Sequence, residues 1–382
     1  MAALPTEVLL TLLAGRGGLS PADLAAVGQA GWEALDARAA EHRCQPILHR
    51  TWGCVPAGEA IPAAIRARWA AAFRASAITA LAQRADLHLI VDRFDAAGIA
   101  CIALKGSWLA WTCYAEPAQR VLRDLDVLVR PDRALEGRAL LLRDGWSEGD
   151  SDGLAAADWL ARFKHLPPLH SPSGTVLELH TRLWDQDGRN PPEPAGLFGR
   201  SQLSTGTRAL RYLDRIDNVM HLAVHAAFHR FDGGPLMLLD CERITACLGG
   251  IDHAALWRRA GEEGWARHAA LFIAATDRWV SPGIAQRWDC PIAVPAELVE
   301  ELPFLLAKPL AAREADIAAA KMARPDLSPL EKARRVLARR ERHDGLCDYL
   351  GWIGQEVVGI ASGRSEPGRR QAIAALDRWL AS

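Results

Sequence analysis

Within residues 102–130 an apolar segment, DLDVLV, carries aspartates at alternate positions, and no other feature restricts the fold of this chain so strongly. Alternate residues of an extended strand share a face, so Asp124 and Asp126 point one way while Leu125, Val127 and Val129 point the other. One side of such a strand packs against a core and the other opens onto a polar site. Two carboxylates held this close repel each other unless a cation lies between them. Upstream, the apolar run 101–104 ends at Lys105-Gly106-Ser107, and Trp108, Leu109 and Trp111 follow at helical spacing. A strand that turns through Gly-Ser into a helix offers backbone N–H groups to an anion, and Lys105 adds positive charge beside them. The stretch therefore reads as an anion-binding turn next to a metal-binding carboxylate pair.

The surroundings imply an α+β protein with a small sheet at its centre. Residues 1–82 read as an N-terminal helical region: helices are expected over 7–13, over 22–37 behind Ser20-Pro21, and over the alanine-rich 63–82. The core region, 83–190, opens with a helix over 84–97 ended by Gly98, and Pro131-Asp132 opens another over 133–144 that closes at Gly145. From 147 to 184 the period shifts to two, and segments 163–169 and 175–183 flank Ser171-Pro172-Ser173-Gly174, which predicts a hairpin. In its second arm Val176, Glu178 and His180 share a face. An acid inside an apolar strand is costly unless paired or metal-bound, so Glu178 is a third candidate carboxylate. Residues 185–204 read as a loop or boundary. From 205 to 382 the chain is a larger helical domain, with helices over 216–230, 235–248, 253–263, 265–279, 296–307, 327–359 and 369–380.

Composition excludes several functional classes. With 382 residues, 50% of them hydrophobic and 24% charged, the chain has enough apolar content for real cores and is no disordered polymer. A net charge of −1 argues against a surface that coats nucleic acid, and the basic run 332–342 reads as a solvated helix face. No apolar run reaches the roughly 20 residues of a membrane span. The start, MAALPTEVLLTLLAG, lacks the basic opening and small-residue cleavage site of a secretory signal. The eight cysteines include no CxxC pair and sit in apolar patterns, as reduced thiols in the cytoplasm do. The fourteen tryptophans sit mostly at helical apolar spacing and read as core anchors.

An anion-binding turn, an Asp-x-Asp strand and a later strand carboxylate form a set suited to nucleotidyl transfer. Three carboxylates can hold two Mg²⁺ ions, one activating or aligning the attacking hydroxyl and the other neutralising triphosphate and pyrophosphate. A second constellation lies on one predicted helix face, where Asp217, His221, His225 and His229 recur every fourth residue, with Asp240 on the next helix. HLAVH lacks the glutamate of HExxH, and histidines on a single helix cannot close a tetrahedral zinc shell. A histidine–aspartate hydrogen-bond network that supports the sheet or lines an acceptor pocket is the expectation. Arg215 and His221 also fit the loose Arg-to-His spacing of HEPN ribonucleases, a pattern that arises easily by chance.

LKGSWLAWTCYAEPAQRVLRDLDVLV followed by VLELHTRLW closely resembles an uncharacterised bacterial nucleotidyltransferase family of the DNA polymerase β-like superfamily. That family's pattern runs LKG-x-x-L, Y-x-x-P-x-x-R, D-x-D-x-L-V and E-L-H. It falls here on Leu104-Lys105-Gly106, Leu109, Tyr114, Pro117, Arg120, Asp124, Asp126, Leu128-Val129 and Glu178-Leu179-His180, within a match over about residues 83–245. The resemblance implies a small mixed-sheet nucleotidyltransferase core and Mg²⁺-dependent transfer of a nucleoside monophosphate, most plausibly AMP, from an NTP to a small-molecule, peptide or protein acceptor. Gly106 and Ser107 would bind the β- and γ-phosphates, Asp124, Asp126 and Glu178 would ligate metal, and Lys105, Arg120 and Arg123 would contact the triphosphate. A histidine-bearing helix followed by an aspartate such as Asp240 recurs in this family, which fits His180, His221, His225 and His229 as pocket or support residues. The alternative is a degenerate module that binds nucleotide without turnover.

Overall fold

Alanine, leucine and arginine dominate the first hundred residues, and the regular elements described there are helical. The computed structural model describes residues 5–307 and 367–381, apart from 16–18, 54, 150, 152–153, 187–190, 205–208 and 248–249. Helix α1 is Pro5–Ala14. A helix expected over 22–37 is divided into α2, Pro21–Ala26, and α3, Gly28–Glu41, because Gly28 takes a φ of +67° that no helix interior accepts. Ser20 starts α2 with a reciprocal capping box to Asp23. Helix α4 is Gln45–Trp52. Helix α5, Ala63–Ala96, is a single 34-residue rod, about 51 Å at 1.5 Å per residue. It runs unbroken through residue 83, where the sequence placed the start of the core region. Ser76 and Gln83 of α5 hydrogen-bond the carbonyls of Ala118 and Leu122, which fixes the loop leading to the Asp-x-Asp strand.

Next come β1 (Cys101–Ala103), α6 (Gly106–Thr112), β2 (Leu125–Val129), α7 (Pro131–Arg143) and β3 (Ser147–Glu148). They are followed by α8 (Ala156–Arg162), β4 (Leu169–His170), β5 (Val176–His180), α9 (Leu197–Arg200), β6 (Gln202–Leu203) and β7 (Arg211–Tyr212). The strands form one mixed sheet in the order β3-β4-β5-β2-β1-β7-β6, so the fold is α+β as the sequence implied. Strand β2 pairs antiparallel with β1 and parallel with β5. The hairpin exists in reduced form. Helix α8 ends at Arg162, immediately before the expected first arm, whose only paired residues are His165, in an isolated bridge to His180, and Leu169. Its turn is held by Asp86 of α5, which accepts from Ser171 Oγ and Ser173 Oγ.

The alternation in β2 separates two apolar cores. Leu125, Val127 and Val129 pack with Leu87, Ile90 and Phe94 of α5 and with Leu140 and Leu141 of α7. Leu128 and Ile102 face the other core, built jointly from N-terminal residues such as Leu9, Trp32 and Trp69 and from C-terminal residues such as Val224, Phe272 and Leu305. The two helical flanks, separate in sequence, thus close over one face of the sheet.

The C-terminal elements are α10 (Arg215–Phe228), α11 (Leu236–Cys247), α12 (His253–Glu262), α13 (Ala266–Trp279), α14 (Ile284–Arg287), α15 (Ala296–Leu306) and α16 (Pro367–Ala381). Asp214 and Asp252 cap α10 and α12 by accepting backbone N–H bonds. The helix expected over 327–359 and the basic run 332–342 lie outside the described residues. The described cysteines are free thiols, and no described helix is long and apolar enough to cross a membrane.

Candidate active site

Register assembles the site. In the parallel β2–β5 pair Asp126 stands opposite Glu178 and Leu128 opposite His180, so side chains of the two strands share the face turned toward α10. His180 Nε2 lies 2.8 Å from Asp126 Oδ1 and 3.4 Å from Glu178 Oε2, although 54 residues separate His180 from Asp126. Ligand atoms of Asp126, Glu178 and His180 lie within 4.8 Å of one another, the one such metal-capable group among the described residues. His180 therefore joins the carboxylates directly, where the sequence assigned it to the acceptor pocket or to support. Asp124, one residue before β2, is half-buried on the same cleft.

The turn between β1 and α6 is built for this site. Lys105 adopts φ +47°, a left-handed conformation that a side-chain-bearing residue rarely takes, and its ammonium donates to Asp126 Oδ1 at 2.7 Å. Gly106 lets Leu122 pack close, since a Cβ there would lie 2.4 Å from Leu122 Cδ2 and that side chain would have to shift. Ser107, expected at phosphate, is 1% exposed, and its hydroxyl accepts the backbone N–H of Asp126 at 2.7 Å. It braces the strand that carries the aspartate, while Gly106 and Lys105 line the cleft.

Three acids meet two bases here. Burial raises the Asp126 carboxyl, but Lys105 and His180 reverse this and hold it far below the usual carboxylate range. Burial likewise opposes ionisation of Glu178, and the hydrogen bond from His180 and the proximity of His165 bring it to about 2. Asp124 receives too little compensation: burial, then the charges of Asp126 and Glu178, push it up to about 7. Burial and Lys105 depress His180, yet its bonds to Asp126 and Glu178 leave it above its ordinary value. Carboxylate oxygens of Asp124, Asp126 and Glu178 converging on one cleft form a donor set that fits a divalent cation.

The second constellation divides among other partners. Asp240 accepts from Arg120 Nε and Nη2 at 2.7 and 2.8 Å and from the Tyr114 hydroxyl at 2.7 Å, so the family-motif tyrosine and arginine are clamped to α11. Most of the Arg120 fork therefore faces a carboxylate rather than open cleft. Asp217, fully buried, is bound by Arg200 and Arg259, away from the histidines. Asp217 and Asp240, the aspartates of the expected histidine–aspartate network, thus serve two arginine–aspartate networks instead. His221 is buried with Nε2 lacking a partner, and burial together with Lys105 holds His221 and His225 well below the ordinary histidine range. The rings of His225 and His229 meet at 4.4 Å, and both line the cleft. Arg215 is exposed at the start of α10 and bonds the Gly250 carbonyl, while His221 is interior, so the two residues of the ribonuclease spacing do not meet.

The cleft holds about 520 Å³ and reaches from Lys105, Arg123, Asp124, Asp126 and Glu178 to Phe228, Leu236, Met237 and Phe272. Lys164 and His165, which sequence reasoning passed over, line it too. Their only signal was a Lys-His pair at the polar end of an apolar arm. A second, open groove of about 680 Å³ lies beyond the C-terminal ends of β2 and β5, beside Arg130, Arg182 and Glu193, with no carboxylate cluster.

Comparison with known families gives one match: a family model described as an uncharacterised nucleotidyltransferase covers residues 28–281. That span includes the whole sheet and α3 through α13, more than the 83–245 outlined by the motifs. No curated protein and no solved structure matches the chain.

Proposed function

The chain belongs to this family of uncharacterised nucleotidyltransferases, and from that premise we propose that it transfers a nucleoside monophosphate, AMP in our assignment, from an NTP to the hydroxyl of a small-molecule, peptide or protein acceptor. The observation that carries this assignment is the convergence of Asp126, Glu178 and His180 beside Asp124 and the Lys105-Gly106 turn, in a cleft large enough for a nucleotide.

Asp124, Asp126 and Glu178 are the residues that would hold two Mg²⁺ ions. When bound, such ions offset triphosphate charge and favour ionisation of the acceptor hydroxyl. The chain's own groups do the positioning on which phosphoryl chemistry mainly depends. Ser107 fixes the backbone of Asp126. His180 donates to Asp126 and keeps its carboxylate aimed into the cleft. Lys105, Gly106, Arg123 and the uncommitted N–H groups of Arg120 are assigned to the triphosphate. Glu178 is assigned to orient the acceptor hydroxyl, and the apolar wall of Leu222, Phe228 and Phe272 excludes water from the reacting groups.

The test is incubation with α-labelled ATP, Mg²⁺ and an acceptor screen. Pyrophosphate release with label transfer is expected from the wild type, and none from Asp126→Asn or Glu178→Gln of unchanged thermal midpoint. Undiminished turnover in both variants would overturn the assignment. Mg²⁺-dependent ATP binding with no pyrophosphate release against any acceptor would favour a binding module.

A further inference from the structure

Lys164 has no place in the motifs, yet it is 8% exposed and lines the cleft that holds the carboxylates. Its backbone is pinned on both sides. The N–H donates to Asp185 Oδ1 at 2.8 Å, and the carbonyl accepts from the N–H groups of Thr181 and Arg182 at 2.8 and 3.1 Å. Those two residues directly follow His180, so the strand that carries the metal-capable residues also sets the position of Lys164. The side chain stretches over the Phe228 ring, with its ammonium 5.6 Å from the ring centre. Among the described residues no carboxylate forms an ion pair with it, although Glu178, Asp185 and Asp126 are near enough to act on it through their charge.

An ammonium this buried is expensive unless an anion meets it, and one aromatic face offsets only part of that cost. The protein nevertheless holds the residue rigidly. Two other cleft cations are differently engaged: Lys105 donates to Asp126, and Arg120 is forked onto Asp240. The Lys164 ammonium is left in the cleft that the metal-capable acids also line. A polyanion carrying a divalent cation would suit both, its phosphate oxygens meeting the ammonium and its cation meeting the acids.

We propose that Lys164 is a substrate-binding cation for the triphosphate of the nucleotide, meeting phosphate oxygens in the cleft that Asp126 and Glu178 line. This rests on the nucleotidyltransferase assignment and adds a residue to it. The binding is non-covalent: burial holds the Lys164 ammonium below the ordinary lysine range, and phosphate oxygens beside it favour the charged form.

The experiment is calorimetric titration of the full chain with Mg²⁺ and, separately, ATP, AMP and inorganic tripolyphosphate, for the wild type, Lys164→Met and Lys164→Arg. Losing one charge-assisted contact should weaken ATP and tripolyphosphate by about ten- to a hundredfold in the methionine variant, with AMP affinity unchanged. Arginine should restore most of the loss. Because methionine removes a buried charge of similar length, its thermal midpoint without ligand should equal or exceed that of the wild type. Equal ATP and tripolyphosphate affinities in wild type and Lys164→Met would overturn the proposal, and so would an equal loss for ATP and AMP, which marks a structural role. If the wild type binds neither ATP nor tripolyphosphate, the nucleotidyltransferase assignment itself falls and takes this one with it. Normal wild-type binding with an unaffected variant defeats only the role of Lys164.

Discussion

Asp240 shows how a polar residue on an apolar helix gains its meaning from an element far away in sequence. Its carboxylate is almost fully buried, with both oxygens taken by Arg120 and one also by Tyr114. All three residues were visible in the sequence, but as unconnected assignments: arginine to phosphate, tyrosine to a motif, aspartate to histidines. Nothing local signals that 120 residues of chain separate the partners of one ion pair. The energetic consequence is specific. Asp240→Asn leaves the Arg120 guanidinium buried without a counter-charge and should cost about 3–5 kcal/mol in urea unfolding. Tyr114→Phe removes one hydrogen bond to a charged acceptor and should cost about 1.5–3 kcal/mol. An Arg120→Met, Asp240→Leu double variant should recover most of the loss in stability. If instead the double variant loses the sum of the two single losses, the pair is not the energetic unit described here.

At the scale of elements, the alternation in DLDVLV and the Ser-Pro-Ser-Gly turn were legible because both are local: period two separates the faces, and turn composition marks the reversal. The parallel pairing of β2 with β5 was not, since strand choice depends on how α7 crosses over and packs against α5. Helix α8 was misread because residues 147–184 as a whole fit a period of two, while helix capping at Ala155 involves no side chain. Strands β6 and β7 have two residues each, too few for any periodicity. The hairpin that delivers Glu178 and His180 depends on Asp86 of α5, a helix to which the sequence assigned no site residue. Asp86→Ala strands the hydroxyls of Ser171 and Ser173 and should cost about 1–3 kcal/mol. Hydrogen exchange should show the loss at the hairpin, with amides of residues 169–178 exchanging faster while α15 is unchanged. Uniform acceleration across the chain would contradict a local role for this contact.

For the whole molecule, the sheet works as a partition: α5 and α7 close one face, and both helical flanks close the other in a single core. The flanks were legible as helices but not as one body, because amphipathic periodicity reports that a face is buried and not what buries it. That shared core encloses histidines without partners, which makes its stability dependent on pH. His268 of α13 is 5% exposed, its Nδ1 lacks a hydrogen bond, and burial alone lowers it from 6.5 to about 4. Above its unfolded value the residue is neutral in both states and contributes no pH dependence. As pH falls from 6.5 toward 4, the unfolded chain takes up a proton that the folded core refuses, so stability declines through that window. A shift of this size corresponds to roughly 3 kcal/mol once the pH is below both values. His221 and His225, depressed for the same first reason, steepen the decline. His268→Phe keeps a ring of similar shape and removes the proton site. Urea midpoints for this variant and the wild type should therefore differ by a constant amount above about pH 7, and the variant should gain on the wild type by up to roughly 3 kcal/mol toward pH 4. Parallel curves across the whole range would mean that His268 is protonated as readily in the folded chain as outside it, and that this part of the core admits water.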